Sequence, residues 1–267
     1  MKKVEFIIES KGIHLIRMIP ESFLEFTRRD LLLFCYTITG EFKKKNMAGL
    51  CLLYRMLDIP AKIFFRLKNY QTDQIFATIG YTGKDPLCFD RWLLPRIWTR
   101  SLLALQLGPK GLLEDISLLQ LSHAEACAEQ YRTTKDPKQL HLMCSVLYQP
   151  LSPLRWTLYS LGILNDLKRP YYASKSEKAV SRFKNIPEHL LLAVHFNFIG
   201  IMEFFKTEFP SIPRTASEQQ GHGWLGLIYE LSGPQLGTVD ELERSNAFKT
   251  LMILNKIGAD SAKNKTT

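Results

Sequence analysis

The feature that most constrains this fold is an apolar segment from Glu188 to Phe209, directly after Pro187. Proline is favoured at the start of a helix, and a helix that is apolar nearly all round is buried. The apolar positions that leave it little polar face are Leu190, Leu191, Val194, Phe198, Ile201, Met202 and Phe205. Its weakly charged part, His189 to Met202, is shorter than the about 20 residues that a bilayer requires. We therefore predict a central core helix.

Helical hairpins are predicted in two earlier regions. In the first, Thr27 caps a helix that stops at Gly40, and a second helix begins at about Asn46 and ends before Pro60. In the second, Ser122 and Glu125 form a capping box, and Asp136-Pro137 then opens the next helix. Further helix is expected over residues 61–80.

A β-hairpin is predicted over residues 4–19. Val4, Phe6 and Ile8 alternate with polar positions, and Lys11-Gly12 supplies the turn. Together these patterns predict a mainly α fold, with helical hairpins packed around a central apolar helix and a short N-terminal β-hairpin. The expected divisions are 1–110, 111–214 and 215–267, with one continuous domain as the alternative.

In two regions the apolar residues show no clear helical or strand spacing. Residues 80–111 contain repeated Gly and Pro and are interpreted as a packed irregular segment, and residues 165–185 are interpreted as a long basic surface loop. Arg91, Arg96 and Arg100 with Trp92 and Trp98 match the basic and aromatic pattern of single-strand nucleic-acid binding. Arginine and tryptophan packed at the edge of a core account for the same residues without a ligand.

Composition bounds the class of protein. The chain has 267 residues, a formal net charge of +9 and five cysteines without Cys-x-x-Cys spacing. The cysteines indicate buried thiols in a reducing compartment. Glu5 and Glu9 interrupt the first apolar run before it reaches the length of a signal peptide. We expect a cytoplasmic protein.

No sequence motif points to catalysis. The chain lacks a P-loop, Gly-x-Gly-x-x-Gly, Gly-x-Ser-x-Gly, His-Glu-x-x-His and zinc-ligand spacing. His195 lies on the apolar helix with no second ligand four residues on, so a hydrogen-bonded core histidine is expected. We predict a non-enzymatic protein without cofactor or metal. An enzyme with a dispersed site is the alternative that the sequence leaves open.

Two short helices are predicted at the C-terminal end. The first has its apolar face at Trp224, Leu227, Ile228 and Leu231. A Thr238-x-x-Glu241 capping box opens the second, whose apolar positions are Leu242, Phe248, Leu251 and Leu254. Residues 259–267 are expected to fray.

The segments Trp224 to Leu231 and Leu236 to Leu242 resemble the closing region of small proteins from tail-gene clusters of tailed phages and prophages, among them tail assembly chaperones. Residues 126–150 and the apolar helix ending at Phe209 are similar to parts of uncharacterised prophage proteins from Bacteroidetes. Leu236 stands where those proteins usually have Phe. The resemblance implies no catalytic residues. It implies a chaperone in the host cytoplasm that shields apolar helices of a tail tape-measure protein.

We therefore expect a protein partner, and no membrane. The predicted docking face consists of Trp224, Leu227, Ile228, Leu231, Phe248 and Leu251. Ordinary core packing would explain the same residues. The alternative function is a basic nucleic-acid-binding or virion structural protein, with a binding site formed by Arg91, Arg96, Arg100, Lys168 and Arg169.

Overall fold

The computed structural model describes residues 1–8, 13–39, 45–83, 85–99, 105–164, 166, 168, 170–212 and 237–265. These residues form eleven α-helices and two small antiparallel sheets, which confirms the predicted mainly α class with an N-terminal β-hairpin. The strands are β1 (Lys2–Ile8), β2 (Ile13–Ile19), β3 (Arg96–Trp98), β4 (Leu105–Leu107) and β5 (Gln149–Pro150). The helices are α1 (Arg28–Thr39), α2 (Lys45–Leu57), α3 (Ala61–Phe64), α4 (Asn69–Thr78), α5 (Leu118–Thr134), α6 (Pro137–Leu147), α7 (Pro153–Ser160), α8 (Ala173–Ala179), α9 (Glu188–Glu208), α10 (Val239–Arg244) and α11 (Ala247–Lys265).

The chain divides into two compact units. The first comprises Met1–Phe89 and Glu188–Gly200, and the second comprises Asp90–Pro187 and Ile201–Thr267. This division differs from the three consecutive segments expected from the sequence, because the first part of α9 belongs to the unit formed by the N-terminal residues.

In the first unit, β1 and β2 pair from Lys2 opposite Ile19 to Ile8 opposite Ile13. The Lys11-Gly12 turn lies outside the described residues. Helices α1 and α2 pack on each other, as predicted. At the start of α1, the backbone N–H of Thr27 donates to the Asp30 carboxylate at 2.9 Å. This cap satisfies a donor that the helix itself leaves unpaired.

Aromatic rings form much of the first unit's core. Phe23 makes edge-to-face contacts with Phe26, Phe34, Tyr81 and Phe89, with ring centroids 5.2–5.9 Å apart. Such geometry places the positive edge of one ring against the negative face of another. The cluster packs the short 3₁₀ segment Phe23–Glu25 against α1, through Phe34, and against Phe89.

The central apolar helix is confirmed as α9. Its length and composition alone would allow it to cross a membrane, and 61% of its most apolar 18-residue window is buried inside the structure. It extends beyond the weakly charged run His189 to Met202, and His195 lies buried on it.

In the second unit, α5 and α6 form the other predicted hairpin. Helix α5 begins earlier than expected, because the hydroxyl of Ser117 accepts the N–H of Gln120. The predicted cap Ser122 is instead a buried residue inside the helix. The Asp136 cap of α6 is confirmed, since its carboxylate accepts the Lys138 N–H at 3.0 Å.

Strands β3, β4 and β5 form a small antiparallel sheet in that order. The interpretation of residues 80–111 as wholly irregular is therefore wrong for β3 and β4. Strands of two or three residues are too short to show an alternating pattern.

The Thr238–Glu241 capping box is present at the start of α10. Helix α11 continues to Lys265, so the expectation of fraying from residue 259 is wrong for most of that segment. The helix predicted around Trp224 lies outside the described residues.

Gly258→Ala is expected to lower the free energy of unfolding by about 2 kcal/mol. A Cβ at Gly258 would lie 2.1 Å from the carbonyl oxygen of Ser211, whose N–H is bonded to Asn255 on α11. Urea unfolding measures the loss. Gly80→Ala is the control, because a Cβ there meets no atom within 4 Å. Equal stabilities of the two variants would contradict the prediction.

Candidate partner-binding surface and cationic cleft

The predicted docking face is only partly described. Leu251 is fully buried, and the half-buried Phe248 packs on Phe205 and Phe209 with ring centroids 6.1 and 5.9 Å apart. These two side chains serve the second unit's own core and leave little surface for a partner. Trp224, Leu227, Ile228 and Leu231 lie outside the described residues, and their docking role stays a prediction.

The basic residues of the nucleic-acid alternative have different surroundings. Arg91 and Arg96 are exposed, whereas Lys168 is buried; Arg100 and Arg169 lie outside the described residues. The Trp92 ring is buried and its N–H donates to the Leu94 carbonyl, so this ring offers no free face for stacking. Arg96 and Trp98 do project from the exposed side of β3.

Lys168 is held in a buried ion pair. Its Nζ lies 2.8 Å from Oδ2 of Asp115. Burial lowers the pKa of Lys168, and the charge of Asp115 opposes that shift. The interpretation of residues 165–185 as a surface loop is therefore wrong in two respects: Lys168 is internal, and α8 with the 3₁₀ segment Val180–Phe183 occupies much of the range.

Several exposed apolar side chains in the described part of this unit lie on α7 and the turn after it. Here the term α7 surface means Leu154, Trp156, Tyr159, Leu161 and Ile163, which are exposed to 69, 55, 42, 68 and 64%. No residue of α7 is buried. The sequence carried one signal for this helix, Pro153 after Ser152, which is typical of a helix start. Nothing in the sequence showed that its apolar side chains face water.

A few contacts hold α7 in place. The Arg155 guanidinium donates to the carbonyls of Asp166 and Lys168 at 3.0 and 2.8 Å. The half-buried Leu158 forms the helix's other inward position. Just before α7, the N–H of Leu151 donates to the carbonyl of Leu105, the residue that pairs with Trp98. The exposed Trp98 is therefore connected to the start of α7 through its pairing partner Leu105.

A cleft of about 260 Å³ lies between the end of α6 with β5 and the segment Pro170–Arg182. Three cations line it: Lys175, Lys178 and Arg182. Its described lining contains no carboxylate. We call this the cationic cleft.

A hydrogen-bonded network fixes one wall of the cationic cleft. The Tyr171 hydroxyl lies 2.8 Å from Nδ1 of His123 and 3.3 Å from the Ser176 hydroxyl. Burial raises the pKa of Tyr171 and lowers the pKa of His123. Both groups are therefore favoured in their neutral forms, and the network holds the Tyr171 ring in a fixed position.

Three of the five thiols, those of Cys35, Cys127 and Cys144, do not resemble catalytic nucleophiles. Cys35, Cys127 and Cys144 are buried, and burial raises the pKa of Cys127 to about 11. A reactive cysteine needs the opposite shift, because the thiolate is the nucleophile. Within the described ranges, no three His, Cys, Asp or Glu side chains are grouped to hold a metal ion.

The fold and these two features define a mainly helical protein with an exposed apolar surface and a cation-lined cleft. Comparison with protein-family models, curated proteins and solved structures finds no match for this chain.

Proposed function

We propose that this protein is a non-enzymatic protein-binding protein that holds an amphipathic helix of another protein on the α7 surface. The observation that supports this proposal is the exposure of five large apolar side chains along α7 and the following turn. Burying a Leu, Ile or aromatic side chain contributes about 1.5–3 kcal/mol. Exposed large apolar side chains concentrated in one short segment are candidates for an interaction site.

Charge indicates which kind of helix would bind. Residues 151–164 contain no Asp or Glu, and the whole chain carries a formal charge of +9. Arg155 already donates to the carbonyls of Asp166 and Lys168, so it is not counted as a charge offered to a partner. The exposed Arg96 lies two residues from Trp98 on the same side of β3. A helix with an apolar face and an acidic flank would therefore meet complementary groups, whereas a basic flank would be repelled.

The sequence resemblance to tail assembly chaperones supports the same general role. On that resemblance, the client would be an apolar helical segment of a tape-measure protein, held in the host cytoplasm until tail subunits cover it. We place the docking surface on α7, since Phe248 and Leu251 are occupied by internal packing.

Trp156→Ser and Leu161→Ser are each expected to weaken binding of an acidic amphipathic helix at least about 10-fold, the loss of one well-buried side chain. The probe is a fluorescently labelled Leu/Glu peptide of about 18 residues, long enough to form a helix. Anisotropy titration measures the affinity. Ile38→Ser is the matched control, because Ile38 is an exposed apolar residue on α1.

The peptide controls are a scrambled sequence of equal composition and a Leu/Lys version with the same apolar face. The proposal predicts tight binding only for the amphipathic acidic peptide. It is overturned if Ile38→Ser reduces binding as much as Trp156→Ser, or if the scrambled peptide binds equally well. Concentration-dependent dimerisation lost in Trp156→Ser, or vesicle binding without peptide binding, would assign the surface to a second copy or to lipid instead.

A further inference from the structure

The cationic cleft brings like charges together. Lys175, Lys178 and Arg182 are spaced i, i+3 and i+7 along α8 and the 3₁₀ segment after it, and all three line the same concavity. Like charges at such spacing destabilise a helix. None of the three forms an ion pair with a carboxylate in the described part of the chain. A bound anion would supply the countercharge that these side chains lack there.

The opposite wall is uncharged. It comes from the end of α6 and from β5, and includes Ser145, Gln149 and Pro150. Tyr171 and Tyr172 add two aromatic side chains, and the Lys175 ammonium lies 4.3 Å from the Tyr172 ring centroid. The cleft thus combines one cationic side with a wall of apolar and hydrogen-bonding groups.

We propose that the cationic cleft binds a small phosphomonoester, with its phosphate held by Lys178 and Arg182 and its organic part against the tyrosine side. A phosphate monoester carries a charge of about −1.5 to −2 at neutral pH, which suits three cations better than a single carboxylate does. The Arg182 guanidinium can donate two parallel hydrogen bonds to phosphate oxygens. This site is separate from the α7 surface and does not depend on peptide binding there.

Size favours a small ligand over a polymer. The cleft volume of about 260 Å³ lies near the lower end of small-molecule sites, which begin at about 300 Å³. A nucleic-acid strand would need a groove that continues along several phosphates. Lys168, one cation of the nucleic-acid alternative, does not extend this cleft, since it is buried against Asp115.

Isothermal titration calorimetry with phenyl phosphate, in about 0.15 M salt to screen loose surface attraction, tests the proposal. Arg182→Gln is expected to weaken binding at least about 10-fold, because a charged hydrogen bond of about 1.5–3 kcal/mol is lost. Lys178→Gln is expected to have a similar effect. Lys184→Gln is the matched control: it removes the same charge two residues further on, from a side chain that does not line the cleft.

Two parallel titrations use benzoate and a thymidine oligonucleotide of about 12 residues, near the site size of a single-strand binding fold. The proposal predicts tighter binding of phenyl phosphate than of benzoate. It also predicts that Arg182→Gln does not change any binding of the oligonucleotide. It is overturned if phenyl phosphate does not bind, or if Lys184→Gln reduces binding as much as Arg182→Gln. It is also overturned if the oligonucleotide alone binds, which would assign the cleft to nucleic acid.

Discussion

Asp115→Asn is expected to lower the free energy of unfolding by about 3–5 kcal/mol, because it leaves the buried ammonium of Lys168 without its countercharge. The side chains of Lys168 and Asp115 are only 5 and 14% exposed, and the two charges lie 2.8 Å apart. The asparagine keeps the volume of the aspartate, so the loss reports the charge and not a cavity. Urea unfolding near neutral pH measures it.

The loss should shrink as pH rises. Burial already holds the pKa of Lys168 below its ordinary value of 10.5, and removing Asp115 lowers it further, since Asp115 raises it. Between the folded and unfolded pKa values the unfolded chain binds more protons, so stability rises with pH in that window. The free energy of unfolding of Asp115→Asn should therefore rise with pH between the lowered pKa of Lys168 and its ordinary value of 10.5.

Two further variants separate a buried ion pair from a general electrostatic effect. Adding Lys168→Met to Asp115→Asn should restore most of the lost stability, because no buried charge then remains. Glu203→Gln breaks the exposed 2.6 Å pair with Lys206 and should cost less than about 1 kcal/mol. If the double variant were as unstable as the sum of the single ones, the ion-pair explanation would be wrong.

Tyr148→Ala is expected to destabilise the protein by about 4 kcal/mol, the usual loss for a large buried aromatic side chain. The ring is buried between Trp92 and Phe183, with centroids 6.3 and 6.5 Å away. Its hydroxyl donates to the Leu94 carbonyl at 2.8 Å. Thermal or urea unfolding of the purified variant provides the measurement.

Tyr148→Phe divides that loss into packing and hydrogen bonding. It should cost only about 1 kcal/mol, since the Leu94 carbonyl still accepts the Trp92 N–H at 2.9 Å. Tyr159→Ala, on the exposed α7 surface, should change stability by less than about 1 kcal/mol. A Tyr148→Phe loss as large as that of Tyr148→Ala would show that packing is not the main contribution.

Local signals predicted helices well. The Thr27, Asp136 and Thr238 caps each depend on a side chain and a backbone N–H two or three residues away, so the information is contained in one short segment. The same holds for the apolar periodicity of α9. Ser122 shows the limit: its capping pattern was overridden because Ser117 starts the helix earlier and buries that turn against neighbouring elements.

Features built from distant segments could not be predicted. The three-stranded sheet joins residues near positions 97, 106 and 150, and each strand alone is too short to show a pattern. Lys168 stands in a basic run, so its burial depends on a partner, Asp115, that no local rule connects with it. The cationic cleft likewise needs α6 and α8 to be placed side by side.

By itself, the sequence determined that this chain is mainly helical and contains one nearly all-apolar helix, because caps and apolar spacing act within a few residues. Only the tertiary structure decided which side chains face water. Leu251 and Trp156 are both apolar residues on helices, yet the first is buried and the second exposed. Burial is a property of the surface that packing covers, and that surface is formed by residues far apart in the chain.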